Sequence, residues 1–378
     1  MRNLYARPSS RLIALAASAF AATPLHGAVH CVGTVEEIRT ALTSAAASTG
    51  DDEIHIRIGA YGISQQLVYN SSNTGWLFVM GGYYTVGDNP CGGRTASAFS
   101  TVLDGNGSSQ ILGIFYNPTA PSTSSPRLGV DNLSLLNGTG TGFQRGGGLD
   151  IGAYGNQYAE LWLDNLYLRN NTGYFSGGIN AYVNRGLVRV ANSLFDDNHA
   201  PTSALAHMSI TVLATDASHG VMLANNTFVN GNCAVNGNRG CGVGMSVCAG
   251  VAAQLSNNVF WNNQFSDLNL EGCLINGLGV GSVALSHNTA TVQSGSLVPT
   301  ISATIPGAPG FASTLNHDFR LRNDSPLLNL GLGPIPVYSF NGFDLDGGLR
   351  VRNGALDVGA FENADAMMAS GFENSTVP

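Results

Sequence analysis

The residues that could perform acid–base chemistry lie close together near the middle of the chain. Asp196, Asp197 and His199 fall within one stretch, Phe195-Asp196-Asp197-Asn198-His199. Two carboxylates on either side of a glycosidic bond are the usual machinery for hydrolysing it. Adjacent residues of a strand point to opposite faces, however, so Asp196 and Asp197 cannot form that pair by themselves. A polar corner that ends a strand is the simpler interpretation.

Aromatic side chains just upstream could bind sugars. Trp162 and Tyr167 are out of phase with the leucines around them, and Trp162 at least should therefore face outward. Exposed rings on a sheet with few charges can stack against sugars, and ordinary stacking between neighbouring rings is the alternative. The candidate ligand-binding residues are Trp162, Tyr167, Arg169, Asp196, Asp197 and His199.

A repeated pattern must position these residues. It reads apolar, x, apolar, x, Asn, x, x, large apolar, and its Asn-to-Asn steps are 33, 27, 33 and 32 residues. The copies are Leu128-Val130-Asn132-Leu135, Leu161-Leu163-Asn165-Leu168, Val188-Val190-Asn192-Phe195, Val221-Leu223-Asn225-Phe228 and Ala253-Leu255-Asn257-Phe260, with a degenerate sixth at Val283-Leu285-His287-Ala290. Repeats of this period indicate a solenoid.

The order of residue types within each copy indicates a solenoid made of strands. Alternating apolar residues are typical of a strand with one buried face, and Asn suits a sharp corner because it tolerates the left-handed backbone region. Stacked Asn side chains can also bond to one another, which predicts a structural ladder. Its members are Asn132, Asn165, Asn192, Asn225 and Asn257. We therefore predict an all-β, right-handed parallel β-helix solenoid; a β-sandwich would not require the same Asn at five successive corners.

The same features resemble a known superfamily. Gly146-Gly147-Gly148-Leu149-Asp150-Ile151 and Gly177-Gly178-Ile179 look like the Gly-Gly-x-Ile strands of the pectate-lyase-like β-helix superfamily, and the repeated Asn resembles its Asn ladder. The resemblance implies the fold but no single function, because that superfamily includes lyases, hydrolases, adhesins and inert surface proteins. The Asn-Thr-Asp, Gly-His-Gly and Arg-Ile-Lys motifs of its polygalacturonase-type hydrolases are absent.

A lyase of this superfamily would need calcium held by carboxylates and an unprotonated base, often Arg or Lys. The chain contains no lysine. The candidate bases are Arg145, Arg169, Arg185 and Arg239, and the candidate calcium ligands are Asp150, Asp164, Asp196 and Asp197. Asp344-Leu345-Asp346-Gly347 resembles the start of a calcium loop but lacks the distal Glu. No local spacing links these groups, so we predict no cofactor and keep Ca²⁺ as the alternative.

The composition favours an ordered, exported protein. Of 378 residues 44% are hydrophobic and 11% are charged, and the net charge of −8 argues against nucleic-acid binding. Arginines followed by an apolar run, 12–20, predict a signal peptide over residues 1–28. The sequence has no other segment long enough to span a membrane.

The six cysteines agree with an oxidising compartment. Cys31 is expected to pair with Cys91, because the other four are clustered away from both. Those four, which allow three pairings, are Cys233, Cys241, Cys248 and Cys273. Their spacing lacks Cys-x-x-Cys, so stapling of a loop is favoured over zinc binding.

The sequences at the two ends of the solenoid predict terminal segments that differ from the repeats. Thr34-Val35-Glu36-Glu37 is a capping box, which predicts a helix over 34–47 that caps the first coil. The predicted segments are the N-terminal cap and first coils, 29–110; the β-helix repeats, 111–300; C-terminal coils and a cap, 301–362; and a flexible tail, 363–378.

The C-terminal motif Asp357-Val358-Gly359-Ala360-Phe361-Glu362 resembles the choice-of-anchor Q region of secreted bacterial β-helix proteins, and the tail resembles a sorting signal. The resemblance implies export and attachment to the cell surface. We expect a secreted or surface-attached bacterial protein, a monomer that binds extracellular polysaccharide or another surface. A polysaccharide-degrading enzyme, a lyase before a hydrolase, and a structural spacer are the alternatives.

Overall fold

The computed structural model describes residues 27–73, 75–118, 125–140, 146–202, 205–215, 220–234, 240–248, 250–272, 280–290, 293–333, 342–352 and 354–363. Within these ranges there are one α-helix, α1 (Val35–Ala47), one 3₁₀ turn (Ala98–Ser100) and 28 strands. In chain order the strands are β1 (Val29–Val32), β2 (Asp52–Arg57), β3 (Gly59–Gly62), β4 (Leu67–Ser71), β5 (Leu77–Val86), β6 (Asn89–Arg94), β7 (Thr101–Asp104), β8 (Leu112–Tyr116), β9 (Arg127–Leu136), β10 (Leu149–Ala153), β11 (Ala159–Arg169), β12 (Ile179–Val183), β13 (Gly186–Ala191), β14 (Leu194–Asp196), β15 (His199–Ala200), β16 (Met208–Val212), β17 (Val221–Ala224), β18 (Thr227–Val229), β19 (Asn232–Cys233), β20 (Val243–Val247), β21 (Ala252–Ser256), β22 (Val259–Trp261), β23 (Leu268–Gly272), β24 (Ser282–Asn288), β25 (Gln293–Ser294), β26 (Thr300–Thr304), β27 (Phe311–Ser313) and β28 (Asp318–Leu321).

Three rows of parallel strands run along the molecule, and we call them faces A, B and C. Face A contains β2, β5, β9, β11, β13, β17, β21, β24 and β26. Face B contains β4, β8, β10, β12, β16, β20, β23 and β25. Face C contains β3, β7, β14, β18 and β22, with the second halves of β9 and β11. The chain passes through A, C and B in turn, which confirms the predicted all-β, right-handed parallel β-helix.

The core fills the inside of the coil with the alternating apolar residues of the repeats. On face A, Leu161, Val188 and Val221 are in register and buried. On face C the inward positions carry aromatic rings, with centroids of Phe195 and Phe228 4.7 Å apart and those of Phe228 and Phe260 4.9 Å apart. Each large apolar side chain buried in this way contributes roughly 1.5–3 kcal/mol.

The corner between faces A and C has the left-handed backbone that the sequence predicts. The φ angles are 59° for Asn132, 55° for Asn165, 51° for Asn192, 56° for Asn225, 57° for Asn257 and 54° for His287. Their side chains bond to one another only in part. Asn257 donates to Oδ1 of Asn225 at 3.0 Å, whereas Asn192 donates to a carboxylate oxygen of Asp164 at 2.8 Å.

In the later coils the residue that follows the corner Asn is a second Asn, and it makes the more extensive bonds. Asn258 is fully buried, and its Oδ1 accepts from the backbone N–H and the Nδ2 of Asn226, both at 3.0 Å. Its Nδ2 donates to the carbonyl of Leu223 at 3.0 Å and to Oδ1 of Asn288 at 2.9 Å. A sharp corner removes one N–H and one C=O from the backbone ladder, and the amide of the next coil satisfies both.

A second corner, between faces C and B, uses the same arrangement. Its left-handed residues lie five positions after the first corner and are Asn137, Asn170, Asp197, Asn230 and Asn262, with φ of 52° to 60°. Behind it, the Oδ1 of Asn171 accepts from Gly138 N at 2.7 Å and its Nδ2 donates to Leu135 O at 2.9 Å. The five-residue spacing of Asn and Asp is visible in the sequence, but the repeat pattern stopped short of it.

Helix α1 caps the first coil as predicted. The Thr34 hydroxyl accepts from Glu37 N at 3.2 Å, and the Glu37 carboxylate accepts from Gly33 N at 2.7 Å. The apolar side of the helix, including Ile38 and Leu42, is buried. Among the described residues, no helix is long and apolar enough to cross a membrane.

The disulfides include the predicted one. Cys31 and Cys91 are bonded and join β1 to the hairpin formed by β5 and β6. Cys233 is bonded to Cys241, and Cys248 also forms a disulfide. Cys273 lies outside the described residues.

The C-terminal residues lie along the side of the coil. β26 adds one strand to face A, but β27, β28 and residues 342–352 and 354–363 pack against face C. Face C has apolar residues pointing outward as well as inward, so it needs a cover. The outward ones are Tyr167, Leu194, Val229 and Val259, and their covering partners include Phe319, Leu327, Leu345, Val358 and Phe361. We refer to residues 305–363 as the side segment.

Replacing Asn258 with Ala should lower the free energy of unfolding by about 1–3 kcal/mol, because it strips hydrogen bonds from a buried corner. Chemical denaturation followed by circular dichroism measures the change. Asn117→Ala is the matched control, since the Asn117 side chain is exposed and donates one bond to Asn70. Equal stability of Asn258→Ala and the parent chain would contradict the account of the corners.

Candidate functional site

The structure brings two of the predicted site residues, Arg169 and Asp196, together on the outside of face C. Register places Arg169 beside Asp196 in the adjacent strand, and Arg169 Nε lies 3.4 Å from Asp196 Oδ2. The same carboxylate oxygen accepts from Nδ1 of His317, in the side segment, at 2.7 Å. Asn230 from the next coil donates to Asp196 Oδ1 at 2.9 Å. Arg169, Asp196 and His317 form what we call the face C cluster.

Burial controls the electrostatics of this cluster. Asp196 is fully buried, and desolvation raises its pKa, while the bonds from Asn230 and His317 act in the opposite direction. Tyr167 is also buried, and desolvation and the Asp196 carboxylate together raise its pKa to about 12. Tyr167 packs edge-on against Phe99 at 5.2 Å. Tyr167 therefore belongs to the covered interior. A ligand-binding role would require an exposed ring that can stack on a sugar, and Tyr167 does not offer one.

His317 was not anticipated from the sequence. It lies 121 positions from Asp196 and occupies the left-handed region, with φ of 54°. Its side chain is 29% exposed, against 0% for Asp196 and 38% for Arg169. Only the pairing of the side segment with face C brings it to Asp196, and no local motif encodes that contact.

An exposed tryptophan lies on the same outward row of face C. Register places Asp196, Val229 and Trp261 in successive strands, and Trp261 is 37% exposed. Strands are about 4.8 Å apart, so Trp261 lies roughly 10 Å along the row from Asp196. The row thus combines a buried carboxylate, a partly exposed imidazole and guanidinium, and an exposed ring.

The remaining predicted residues of this stretch lie at the next corner. Asp197 is exposed and occupies the left-handed position, with φ of 52°. His199 begins β15 and is half-buried, and its backbone pairs with Thr172 and Asn232. Neither residue bonds to Asp196 through any contact that the structure gives for the described residues.

Trp162 lies on face A, away from the cluster. It points outward, as predicted, but its ring lies between two guanidinium groups, with the Arg127 Cζ 4.2 Å and the Arg189 Cζ 4.3 Å from the ring centroid. Its Nε1 donates to Glu160 at 2.8 Å. Cation–π packing therefore occupies the ring, and the outward orientation does not leave an open stacking surface.

Face B offers a long surface row of mixed aromatic and polar character. Its strands carry half-exposed side chains in register with one another. These are Phe115, Tyr182, Thr211, Ser246 and Glu271. The intervening strand has Gly152 at this position, and the ring of Tyr154 occupies the space that its missing side chain leaves. We call these six side chains, with Tyr154 in place of Gly152, the face B row.

The rings of the face B row contact one another. The centroids of Tyr154 and Tyr182 are 5.1 Å apart with planes inclined by 20°, and those of Phe115 and Tyr154 are 6.4 Å apart. At about 4.8 Å per strand, the row from Phe115 to Glu271 is roughly 24 Å long.

A recessed polar row runs beside it. Asp150, Asn180 and Asn269 point outward by alternation yet are only 4–7% exposed, and Asn180 donates to Asp150 at 2.7 Å. Among the outward strand residues of face B, all of them described, the charged groups are the carboxylates of Asp150 and Glu271. The outward strand residues of face B therefore supply no cation with which to hold an anionic polymer.

The loop resembling a calcium site is part of a buried ion cluster in the side segment. Arg350 Nε lies 3.2 Å from Glu362, and both side chains are at most 4% exposed. Asp344 accepts from the backbone of Gly348 and Glu362, and Asp346 pairs with Arg320. Within the described residues, no group of three or more His, Cys, Asp or Glu is arranged to hold a metal ion.

The chain matches no known family model. No curated protein matches it either. Two crystal structures of the pectin methylesterase from Aspergillus niger, one deglycosylated and one penultimately deglycosylated, are similar at 14% identity, covering 77% of this chain and 93% of the esterase with a TM-score of 0.29. A likeness at that level carries no argument about the site, so no residue or activity is transferred from these enzymes.

The buried cluster should make stability depend on pH. Desolvation raises the pKa of Glu362 to about 8, with Asp357 and Asp344 adding to the shift and Arg350 opposing it. The folded protein then holds a proton that the unfolded chain releases near pH 4.5. The stability that this proton contributes is complete below pH 4.5 and is lost as the pH rises through about 8.

Glu362→Gln should therefore remove this dependence. Between pH 6 and 9 the parent chain should lose up to a few kcal/mol more unfolding free energy than the variant. Denaturant melts at several pH values measure both slopes. Identical slopes in the two proteins would contradict the raised pKa.

Proposed function

We propose that this is an exported protein that binds a neutral extracellular glycan along face B. The observation that carries the proposal is the face B row, an unbroken line of rings, hydroxyls and one carboxylate across six parallel strands. Export rests on the predicted signal peptide of residues 1–28 and agrees with the disulfides.

The geometry of face B suits a linear polymer. Strand spacing of about 4.8 Å is close to the length of one sugar ring, so equivalent side chains on successive coils can meet successive sugars. Tyrosine combines an apolar ring with a hydroxyl, which matches the alternating apolar and hydroxylated surface of a sugar. Thr211 and Ser246 continue the row with hydrogen-bonding groups of small size.

The charge of face B selects among glycans. Asp150 and Glu271 make the surface anionic, and polymers of acidic sugars would be repelled at low ionic strength. We therefore place neutral polysaccharides ahead of the polyuronates that a lyase would cleave. Attachment of the protein to a bacterial cell surface through residues 301–378 remains part of this proposal and rests on the choice-of-anchor Q resemblance alone.

Tyr182→Ala should weaken binding to the best neutral polysaccharide about 5- to 10-fold, because it removes a ring worth roughly 1–1.5 kcal/mol at the centre of the row. Affinity electrophoresis against glucan, xylan, mannan and polygalacturonate gives the ranking and the loss. Tyr84→Ala is the control, since Tyr84 is 40% exposed and lies on β5, away from face B.

Two results would overturn the proposal. One is retention of full affinity by Tyr182→Ala with loss in the control. The other is a preference for polygalacturonate over the neutral polysaccharides. Release of an ultraviolet-absorbing unsaturated sugar from polygalacturonate with Ca²⁺ would show that the protein is a lyase instead.

A further inference from the structure

The face C cluster has the parts of an acid–base site, and it lies apart from the proposed glycan surface. Asp196 Oδ2 accepts from Nδ1 of His317 at 2.7 Å, so the imidazole is held in the tautomer that carries its proton on Nδ1. Nε2 is then the basic nitrogen. Among the described residues, no hydrogen bond to Nε2 is found, and the ring is 29% exposed.

The cluster also contains a cation beside the base. Arg169 Nε lies 3.4 Å from the carboxylate oxygen that holds His317, so the guanidinium and the imidazole are neighbours on one surface. A guanidinium there can stabilise negative charge that develops on an oxygen next to His317. Trp261, 37% exposed on the same row, offers an apolar surface for the rest of a substrate.

A purely structural contact would not require this arrangement. The Asp196 carboxylate is completely buried, whereas the His317 side chain that bonds to it is 29% exposed. Glycosidase chemistry does not fit, because Asp196 is buried and its bonding partners among the described residues are Arg169, Asn230 and His317, with no second carboxylate.

We propose that His317 is a catalytic general base that hydrolyses acyl esters, with Asp196 as its positioning residue and Arg169 as the oxyanion-stabilising group. His317 Nε2 takes a proton from water as the water oxygen bonds to the ester carbonyl carbon, and the C=O electron pair moves onto the oxygen facing Arg169. Collapse re-forms C=O and breaks the bond to the alcohol oxygen, which receives the proton from the imidazolium. The products are a carboxylic acid and an alcohol, so water is the only co-reactant.

The natural substrate would be an acyl group, such as acetyl, on a sugar hydroxyl. This part rests on the proposed glycan binding, whereas the chemistry of the cluster does not. Two substrates test the ester hydrolysis and the acyl-sugar specificity separately. They are p-nitrophenyl acetate, which needs no glycan surface, and O-acetylated xylan.

Asp196→Asn is the most informative variant. The Asn side chain can still accept from Asn230 through its oxygen, but its NH₂ would face Nδ1 of His317 and move the imidazole proton to Nε2, which removes the base. We expect the wild-type protein to hydrolyse p-nitrophenyl acetate faster than free imidazole does at the same concentration. Asp196→Asn should lower kcat about 100-fold or more. His317→Gln should do the same, which covers the case in which Asp196→Asn fails to fold.

Asp324→Asn is the matched control, because Asp324 is exposed in the same segment and pairs only with Arg322 among the contacts of the described residues. It should keep the wild-type rate, and thermal melts should show all soluble variants folded. A wild-type rate no higher than that of free imidazole, or an unchanged rate in Asp196→Asn or in folded His317→Gln, would overturn the catalytic assignment. Hydrolysis of p-nitrophenyl acetate without release of acetate from the xylan would overturn only the acyl-sugar substrate.

Discussion

A coil of parallel strands must turn sharply between faces, and every turn removes backbone groups from the hydrogen-bond ladder inside an apolar core. An unpaired backbone N–H or C=O in that position would cost about 1–3 kcal/mol, and the cost would recur at each coil. At several corners of this protein, an Asn that follows the left-handed residue supplies both missing partners to the preceding coil. Asn226 does so for Ser193 N and Val190 O, and Asn263 does so for Gly231 N and Phe228 O at the other corner. Both corners depend on the same arrangement, and the straight stacking of the three faces follows from it.

The stacking of the coils in turn determines where functional side chains can be placed. Because equivalent residues repeat at each strand step, a side chain of one type on successive coils becomes a row, as on face B. The short strands of face C have apolar residues on both sides, so most of their outward apolar residues need a cover. The side segment covers them, and only this covering brings His317 to Asp196.

Much of the architecture could be predicted from the sequence because it is local and periodic. The left-handed Asn residues, the strands on face A and the capping box of α1 are each encoded within a few positions. The repeat pattern does not include the second corner, although Asn137, Asn170, Asn230 and Asn262 follow the first at constant spacing, because the pattern ends at the next apolar residue.

The candidate site was predictable only in part, for a physical reason. Register alone makes Arg169 a neighbour of Asp196. The contact between Asp196 and His317 spans 121 positions and depends on how the side segment packs, which no local pattern encodes. Trp162 shows the reverse case: alternation gave its outward direction correctly, but not that Arg127 and Arg189 would cover both sides of its ring.

Native-state hydrogen exchange at the corners tests the central claim most directly. The backbone amides of Ser193, Asn226 and Asn258 donate to side-chain oxygens of the next coil, at 3.1, 3.0 and 2.9 Å. These amides should exchange as slowly as amides in the middle of the adjoining strands, and they should exchange only when the coil itself unfolds. Exchange at the rate of exposed turn amides would show that the corners are not closed by the next coil, and would contradict the account.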